Sequence, residues 1–547
     1  MPVAPTVAST LGVDMPAEEF RRHGIAVIDR LVAHYASLHD QPAYPAVSPI
    51  DLVPLFDGPV PEHGEPLDAI LADWEWKILP NSSIQGSPRF FGWVNGGGTQ
   101  VGTLAEALAT GLNPNPGGWR AAQAATVIEN QTIRWLAELM GLDATAGGLF
   151  VSGGTMANTA ALQMALRATA TWDIVADGLQ VSDRPSRLTV YMADHEAHVS
   201  FKKALDLLGL GRNALRLVPS HDDFTIDTAA LEAMLVADRA AGMTPFCVVG
   251  HAGSINVGAI DDFAALADIT ERHGLWLHLD GACGALGAIL PELGGRYAGI
   301  ERADSVSFDG HKWMGIPYEC GCVLARDASR LKRTFGVTAS YLHEQPDDAL
   351  EAFDFYDRGP QMSRGWRAMK VWMSLRYYGA EGYRRFFRRT IDNARYLHEL
   401  VAGHPDWEVV QPEPSLYIYS FRFRPAGVAE ADLDDLNARL RRRGEGPTRR
   451  AGDDHPDSRP GDPAVLDRQS PDHPGRHPGG LRGDDPDRPG TGRPGGRLKL
   501  PPEPPITGSD GGATAIGCGA QGADSKQSPP CPSPRPSLLE PGFVFQS

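Results

Sequence analysis

The stretch GLFVSGGTMANTAALQMALRAT, residues 148–169, contains the transition that decides the fold class of this chain. An apolar run typical of a buried strand ends at two glycines, and a helical pattern of small and apolar residues follows. The same alternation continues downstream, where LTVYMAD, FCVVGHAG and LWLHLDGAC are typical of buried strands and FKKALDLLG and DFAALADITERHG of helices. Such alternation predicts an α/β fold with a mostly parallel sheet covered on both faces.

Helical segments flank this alternating region. Helices are predicted near residues 17–35, 67–79, 104–112 and 122–139, and one long helix or two joined helices at 367–400. WEVV and SLYIYSFRFR predict strands of a smaller C-terminal domain, and ADLDDLNARLRRR predicts a helix. After about Gly444 the chain is rich in Pro, Gly, Asp and Arg, a composition that buries too little apolar surface to offset the entropy of ordering.

Composition and charge disfavour several classes of protein. With 547 residues, 42% hydrophobic and 22% charged, the chain has the balance of a globular protein. A formal net charge of -17 argues against a nucleic-acid or anionic-membrane partner. We expect a cytoplasmic protein, since the 6 cysteines are scattered and no signal peptide or membrane-spanning apolar run is recognisable. Cys320 and Cys322 form a lone C-G-C, which predicts strand residues and no metal site.

The turn VSGGTMAN stands where the first predicted strand meets its helix. Small residues at a helix N-terminus let backbone N–H groups approach a phosphate, so Gly154 and Thr155 are candidate phosphate ligands. The alternative is an ordinary glycine-rich turn in which Thr155 caps the helix.

Two further strand ends carry polar residues. In DHEAH, His195 and His198 lack the second spacer of the zinc motif H-E-x-x-H; His198 could stack on a flat ring or be a surface histidine near a helix start. In LWLHLDG, Asp280 ends an apolar strand. A buried carboxylate calls for a cationic partner, although Asp also commonly caps turns.

The fourth strand end is SVSFDGHKWMGIPYECGC, residues 305–322, where Lys312 follows His311. Alone, Lys312 could be one more solvated charge. Ligands of parallel α/β sheets, however, bind at the carboxyl ends of the strands. Pyridoxal phosphate requires a lysine for a Schiff base and an acid at its ring nitrogen. Successive strand ends in this chain offer a phosphate cradle, a flat stacking group, a buried acid and a lysine, which together match that cofactor.

These motifs resemble those of the pyridoxal-phosphate-dependent group II amino-acid decarboxylases, from about Glu19 to about Arg442. The resemblance rests on SPRFFGWVNGGGT, NPGGW, VSGGTMAN, DHEAH, HLDGACG, DGHKWMGIPYECGC and SRGWRAMKVW. It implies the aspartate-aminotransferase-like fold (fold type I). The implied parts are an N-terminal helical dimerisation segment (1–90), a large cofactor domain (91–365), a small, incomplete C-terminal α/β domain (366–444) and a disordered or frameshifted tail (445–547).

The resemblance also implies a role for each candidate site residue. Lys312 forms the Schiff base with pyridoxal 5'-phosphate, Asp280 pairs with the ring nitrogen, and His198 stacks on the ring and orients the substrate carboxylate. Of the remaining residues, Ala282 lies beneath the ring, Gly154 and Thr155 bind the phosphate, His311 flanks the lysine, Tyr341 donates a proton to Cα, and Trp93 and Val94 line the substrate side. Trp93 could equally be part of the core.

The resemblance implies a homodimeric carboxy-lyase that converts an L-amino acid, an aromatic one in first place, to the amine and carbon dioxide. Alternatives are glutamate or diaminobutyrate as substrate, another pyridoxal chemistry such as an aldol-type cleavage or transamination, and a folded but inactive protein. The chain departs from the common family pattern at His251, Gly281 and Gly365. Its tail after about Gly444 departs most, which indicates either a reading-frame shift near residues 442–446 of a GC-rich gene or a true disordered extension.

Overall fold

A seven-stranded sheet organises the chain in the structure, a computed structural model that describes residues 15–45, 47–180, 187–337, 354–444 and 544–545. Its strand order is β1-β7-β6-β5-β4-β2-β3. The strands are β1 (Gly147–Val151), β2 (Leu188–Ala193), β3 (Leu215–Val218), β4 (Thr244–His251), β5 (Trp276–Asp280), β6 (Ser305–Asp309) and β7 (Gly321–Ala325). Five of them pair in parallel, and β7 runs antiparallel to both of its neighbours. The predicted mostly parallel sheet is confirmed.

Helices cover this sheet and precede it. Those before β2 are α1 (Ala17–Ala36), α2 (Pro49–Phe56), α3 (Leu67–Asp73), α4 (Gln100–Leu112), α5 (Gln123–Leu139), α6 (Gly154–Thr169) and α7 (Ile174–Asp177). Those after it are α8 (Val199–Leu207), α9 (Thr228–Ala240), α10 (Phe263–His273), α11 (Ser329–Phe335), α12 (Ala368–Ala402) and α13 (Glu430–Gly444). Among the described helices, none is long and apolar enough to cross a membrane.

The long helix α12 contains a break that explains both versions of its prediction. Gly379 has φ 68° and ψ 167°, outside the helical region, so two helices meet there. A positive φ of this kind is adopted readily by glycine because it has no Cβ.

A smaller antiparallel sheet follows, in the order β10-β9-β8. It consists of β8 (Trp407–Val409), β9 (Tyr419–Phe423) and the two residues of β10 (Val544–Phe545). Helix α13 is tied to β9 by the Asn437 side chain, which accepts a hydrogen bond from the Phe423 N–H and donates one to the Phe423 carbonyl. The predictions for Tyr341 and for residues 445–543 and 546–547 lie outside the described residues.

A buried ion pair joins α5 to the segment before α12. The Arg364 guanidinium lies 2.6 Å from the Glu129 carboxylate, and both side chains are fully enclosed. Arg364 also donates to the carbonyl of Phe150 in β1, and Glu129 accepts from the Phe150 N–H. The pair therefore fixes α5 and this segment against the first strand of the sheet.

Removing one partner of this pair should be strongly destabilising. We expect Arg364→Met to lower the free energy of unfolding by about 3–5 kcal/mol, because Glu129 would remain as an uncompensated buried charge. Urea denaturation followed by circular dichroism measures it. Arg302→Met, which removes surface ion pairs with Asp268 and Glu271, is the control and should change stability little. Equal effects of the two substitutions would contradict the prediction.

Candidate active site

Lys312 lies in a turn that begins where β6 ends. Its side chain is 14% exposed, and its Nζ lies 3.3 Å from Asp309 Oδ2 and 3.5 Å from the Sγ of Cys283, to which it donates a hydrogen bond. Burial alone would lower the pKa of Lys312, but Cys283, Asp309 and Asp280 raise it above its ordinary value. The structure thus places Lys312 as an enclosed ammonium group with acidic neighbours.

Asp309, the last residue of β6, is a site residue that the sequence analysis missed. It is 3% exposed, and its Oδ1 has no hydrogen-bond partner among the described residues. Burial raises the pKa of Asp309 to about 6, although Lys312 acts in the opposite direction. The available signal was its position, an acid three residues before a lysine at the end of a buried strand.

Asp280 ends the neighbouring strand β5 and is buried, as predicted. Its carboxylate accepts hydrogen bonds from Asn158 Nδ2 at 3.0 Å, from the Ala282 N–H at 3.1 Å and from Ser307 Oγ at 3.4 Å. The bond from Ala282 shows that the turn-capping alternative is also partly right. Burial would raise the pKa of Asp280, but its neighbours, with His251 first and the Ala282 N–H among them, hold the pKa below its usual value, so the group is a carboxylate.

His198 is the N-cap of α8, where its Nδ1 accepts a hydrogen bond from the Ser200 N–H. Its ring lines a small cavity together with Asp280, Ala282 and Lys312, so the surface alternative for this histidine was wrong. Burial lowers the pKa of His198, which favours the neutral imidazole suited to stacking. The described residues contain no group of three His, Cys, Asp or Glu that could hold a metal ion.

The predicted phosphate cradle lies at the start of α6, beside Asp309. A Cβ added to Gly154 would lie 3.0 Å from Asp309 Oδ2 and 3.1 Å from the Cβ of Ala282, so a side chain would fill the cradle. The helix is capped at Gly153 and begins at Gly154, which shows that the alternative of Thr155 as N-cap was wrong. Thr155 lies in the first turn, where helix N–H groups lack carbonyl partners within the helix.

His311 and Tyr318 form a stacked pair next to Lys312. Their ring centroids are 4.3 Å apart, and His311 Nδ1 accepts a hydrogen bond from the Cys320 N–H. Burial lowers the pKa of His311 to about 4, so this ring is neutral. Tyr318 donates to Asn95 Oδ1 at 2.6 Å. Sequence analysis missed both Tyr318 and Asn95.

A second cavity, of about 730 Å³, reaches the same lysine from the side of the N-terminal helices. Its walls include the aromatic residues Tyr35, Trp74, Phe90, Trp313, Tyr318 and Phe386. Gly96 belongs to this wall and packs against the Lys312 carbonyl so closely that a Cβ there would clash. Lys312 therefore lies between the small cavity near Asp280 and a large one whose walls include six aromatic side chains.

The two residues predicted for the substrate side lie elsewhere. Trp93 is 63% exposed and has a positive φ, so the alternative of a core tryptophan was wrong. Val94 is buried in the main hydrophobic core. Neither residue is part of the walls of the two cavities at Lys312, and their contact with substrate stays a prediction.

This set of groups fits pyridoxal 5'-phosphate. One site brings together the amine of Lys312, the buried carboxylate of Asp280 and the neutral imidazole of His198. The start of α6, where Gly154 has no side chain, lies beside them. These are the functions that a protein supplies to this cofactor.

Comparisons with known proteins point to one family. The family described as "Pyridoxal-dependent decarboxylase conserved domain" matches residues 49–424. An aromatic-L-amino-acid decarboxylase of Bacillus atrophaeus is 33% identical over 78% of this chain and 87% of its own length. A phenylacetaldehyde synthase of Petunia hybrida is 29% identical over 77% of this chain and 85% of its own.

A solved structure extends the likeness to three dimensions. The crystal structure of Oryza sativa TDC with PLP and tryptamine is similar with a TM-score of 0.73 and 27% identity, covering 79% of this chain and 90% of that one. Since the family match covers well over half of the sequence and the site is built as that family's cofactor requires, the chain belongs to the pyridoxal-dependent decarboxylase family and is a carboxy-lyase that uses pyridoxal 5'-phosphate.

Proposed function

We propose that this protein decarboxylates an aromatic L-amino acid to the amine and carbon dioxide. The observation that carries the proposal is the wall of the large cavity at Lys312. Its described residues include six aromatic side chains but no Asp, Glu or Arg, and Lys312 is the one Lys among them. Glutamate or diaminobutyrate would need an opposite charge there, whereas an aromatic side chain needs apolar and ring contacts.

The mechanism divides between the cofactor and the residues of the chain. Pyridoxal 5'-phosphate, when bound, supplies the electron sink that allows the bond between Cα and the carboxylate to break. Asp280 would hold a proton on the ring nitrogen through its carboxylate, and the neutral ring of His198 would stack on the cofactor opposite Ala282. Gly154 and Thr155 would bind the phosphate through the start of α6.

Lys312 must lose a proton before its amine can act as a nucleophile. The nearest carboxylate oxygen is Asp309 Oδ2, at 3.3 Å. Because burial raises the pKa of Asp309 to about 6, this carboxylate is a stronger base than an exposed Asp. Because Asp309 also raises the pKa of Lys312, we assign Asp309 Oδ2 as the atom that holds the Lys312 ammonium group in place.

A second candidate function is aldehyde formation, which the likeness to the Petunia hybrida phenylacetaldehyde synthase favours. The two reactions differ in what happens at Cα after carbon dioxide leaves: protonation gives the amine, whereas oxidation by dioxygen followed by hydrolysis gives the aldehyde, ammonia and hydrogen peroxide. A proton donor at Cα directs the chemistry to the amine, and we propose Tyr341 for this task.

The homodimer is also a proposal. Apolar side chains on the N-terminal helices are largely exposed in the single chain, among them Phe20, Val32 and Val53. Exposed apolar surface of this kind marks a protein interface. Sedimentation equilibrium is the direct measurement, and a monomer at micromolar concentration would argue against the proposal.

The residues after about Gly444 bear on activity, and for them we propose a reading-frame shift. The steps Asp-His and His-Pro recur within residues 453–478, and Asp-Pro occurs there once. Asp and His codons end in AC or AT, and His and Pro codons begin with C. Read one base later, each of these steps encodes Thr or Ile, β-branched residues that favour strands. Independent sequencing across codons 442–446 should reveal a one-base change, and an intact frame would refute it.

Lys312→Ala should abolish both cofactor attachment and turnover. The wild-type protein with added cofactor should absorb at visible wavelengths, and the variant should lose this band together with carbon dioxide release, because no other described amine lies in the cavities. Lys332→Ala, in α11, is the control and should keep both. A wild-type chain that shows no band would instead support the alternative of a folded but inactive protein.

Tyr341→Phe should leave cofactor binding unchanged while diverting the products. We expect amine yield to fall roughly 100-fold, the usual size of a lost general acid, and aldehyde to increase. Chromatography of the products after reaction with an aromatic amino acid measures this ratio. An unchanged yield of amine would remove Tyr341 from the mechanism.

A panel of amino acids tests the substrate class. Tyrosine, tryptophan and phenylalanine should release carbon dioxide at least tenfold faster than glutamate or 2,4-diaminobutyrate, since roughly 1.4 kcal/mol from an unpaired charge suffices for that ratio. The assay measures carbon dioxide from each substrate at equal concentration. Preference for glutamate or diaminobutyrate would overturn the proposed substrate.

A further inference from the structure

His251 is a buried histidine at the cofactor end of β4 that the mechanism above does not use. It is 3% exposed, and it is the direct register partner of Asp280 on the adjacent strand β5. Its side chain lines the small cavity that also contains His198, Asp280 and Lys312. Neither ring nitrogen has a hydrogen-bond partner among the described residues. A buried imidazole in this condition requires a physical explanation.

Asp261 supplies the first part of that explanation. Its side chain is fully buried, and its Oδ1 and Oδ2 accept hydrogen bonds from the N–H groups of Ile226 and His251 at 2.8 Å and 2.7 Å. Both oxygens of Asp261 therefore accept a hydrogen bond from the backbone. A buried carboxylate needs a cation nearby. Among the described residues, the basic side chain within 4 Å is His251, whose Nδ1 lies 3.5 Å from Asp261 Oδ2.

The other titratable groups that face His251 mostly favour its charged form. Asp280 and Glu196 attract the imidazolium, and Glu196 is itself buried where it accepts hydrogen bonds from Asn256. His198 also interacts with His251, but burial lowers the pKa of His198 and leaves it neutral. Burial alone would lower the pKa of His251, yet Asp261, Glu196 and Asp280 together raise it above its ordinary value.

We propose that His251, held in place by Asp261, is a positioning residue whose positive charge keeps Asp280 ionised and ready for the ring nitrogen of the cofactor. The hydrogen bonds from Asn158, Ala282 and Ser307 to Asp280 come from neutral groups. The Lys312 ammonium also attracts Asp280, but its ion pair is with Asp309. His251 on the next strand provides a counter-charge for Asp280. The inference rests on the proposed role of Asp280.

The direction of the pH dependence follows from the two groups. The pKa of Asp280 is depressed, so its carboxylate contributes to cofactor binding at neutral pH, and this contribution is lost as pH falls through that pKa. Without His251, the loss of cofactor binding begins at a higher pH. The pKa of His251 is raised, so its positive charge acts on Asp280 in full below about pH 6.5. That charge is lost as pH rises through the pKa of His251 in the folded protein. His251 should therefore matter most on the acidic side of neutrality.

Cofactor affinity of the apoprotein tests the proposal independently of turnover. Pyridoxal 5'-phosphate is titrated into wild type and His251→Asn between about pH 5.5 and about pH 9, with fluorescence quenching as the readout. The variant should bind more weakly at the acidic end of this range, with a ratio that grows as pH falls towards the pKa of Asp280 and is limited to roughly tenfold for each unit by which that pKa rises, and the ratio should approach one near pH 9. His63→Asn, at an exposed histidine, is the matched control and should follow wild type at every pH.

Asp261→Asn provides a second variant in case His251→Asn does not fold, as judged by circular dichroism. It removes the carboxylate that holds the imidazolium and should show the same loss of affinity on the acidic side. A constant ratio between variant and wild type at all pH values, or no change in affinity, overturns the role of His251. Failure of the wild-type protein itself to bind the cofactor would count against the proposed function, which separates the two results.

Discussion

Burial of the Asp280 carboxylate is the constraint on which the site depends. A charge at the end of a central strand is costly unless polar groups and counter-charges surround it. The sheet meets this requirement by bringing Asn158 from α6, Ser307 from β6 and His251 from β4 to the same place. The strand order, in which β5 lies between β4 and β6, makes this convergence possible.

The same edge of the sheet brings the reactive amine next to two acids of different character. The pKa of Asp280 lies below its usual value, with His251 first among the neighbours that lower it, whereas burial raises the pKa of Asp309 to about 6. One acid is therefore suited to hold a protonated ring, and the other to hold the Lys312 ammonium group. Two carboxylates within one site acquire separate tasks from their surroundings, as paired catalytic acids commonly do.

Much of the fold and part of the site were predictable because they depend on local pattern. The alternation of apolar strands and amphipathic helices predicted the parallel sheet, and the polar residues Asp280, His198 and Lys312 stood out by following strands. Asp309 and Tyr318 were missed because an acid and an aromatic residue inside a motif give no periodic signal. Trp93 was placed on the substrate side from a motif alone, and the structure shows it mostly exposed.

The sequence by itself determined the order of strands and helices, the residues at the strand ends and the family to which they belong, since these follow from side-chain period and spacing along the chain. Only the tertiary structure decided which strand ends are neighbours. Adjacency in the sheet is set by long-range pairing, so no local pattern reveals that His251 lies beside Asp280 or that Asp261 stands behind it. Protonation states depend on that adjacency, because charge interactions and desolvation act through space rather than along the chain.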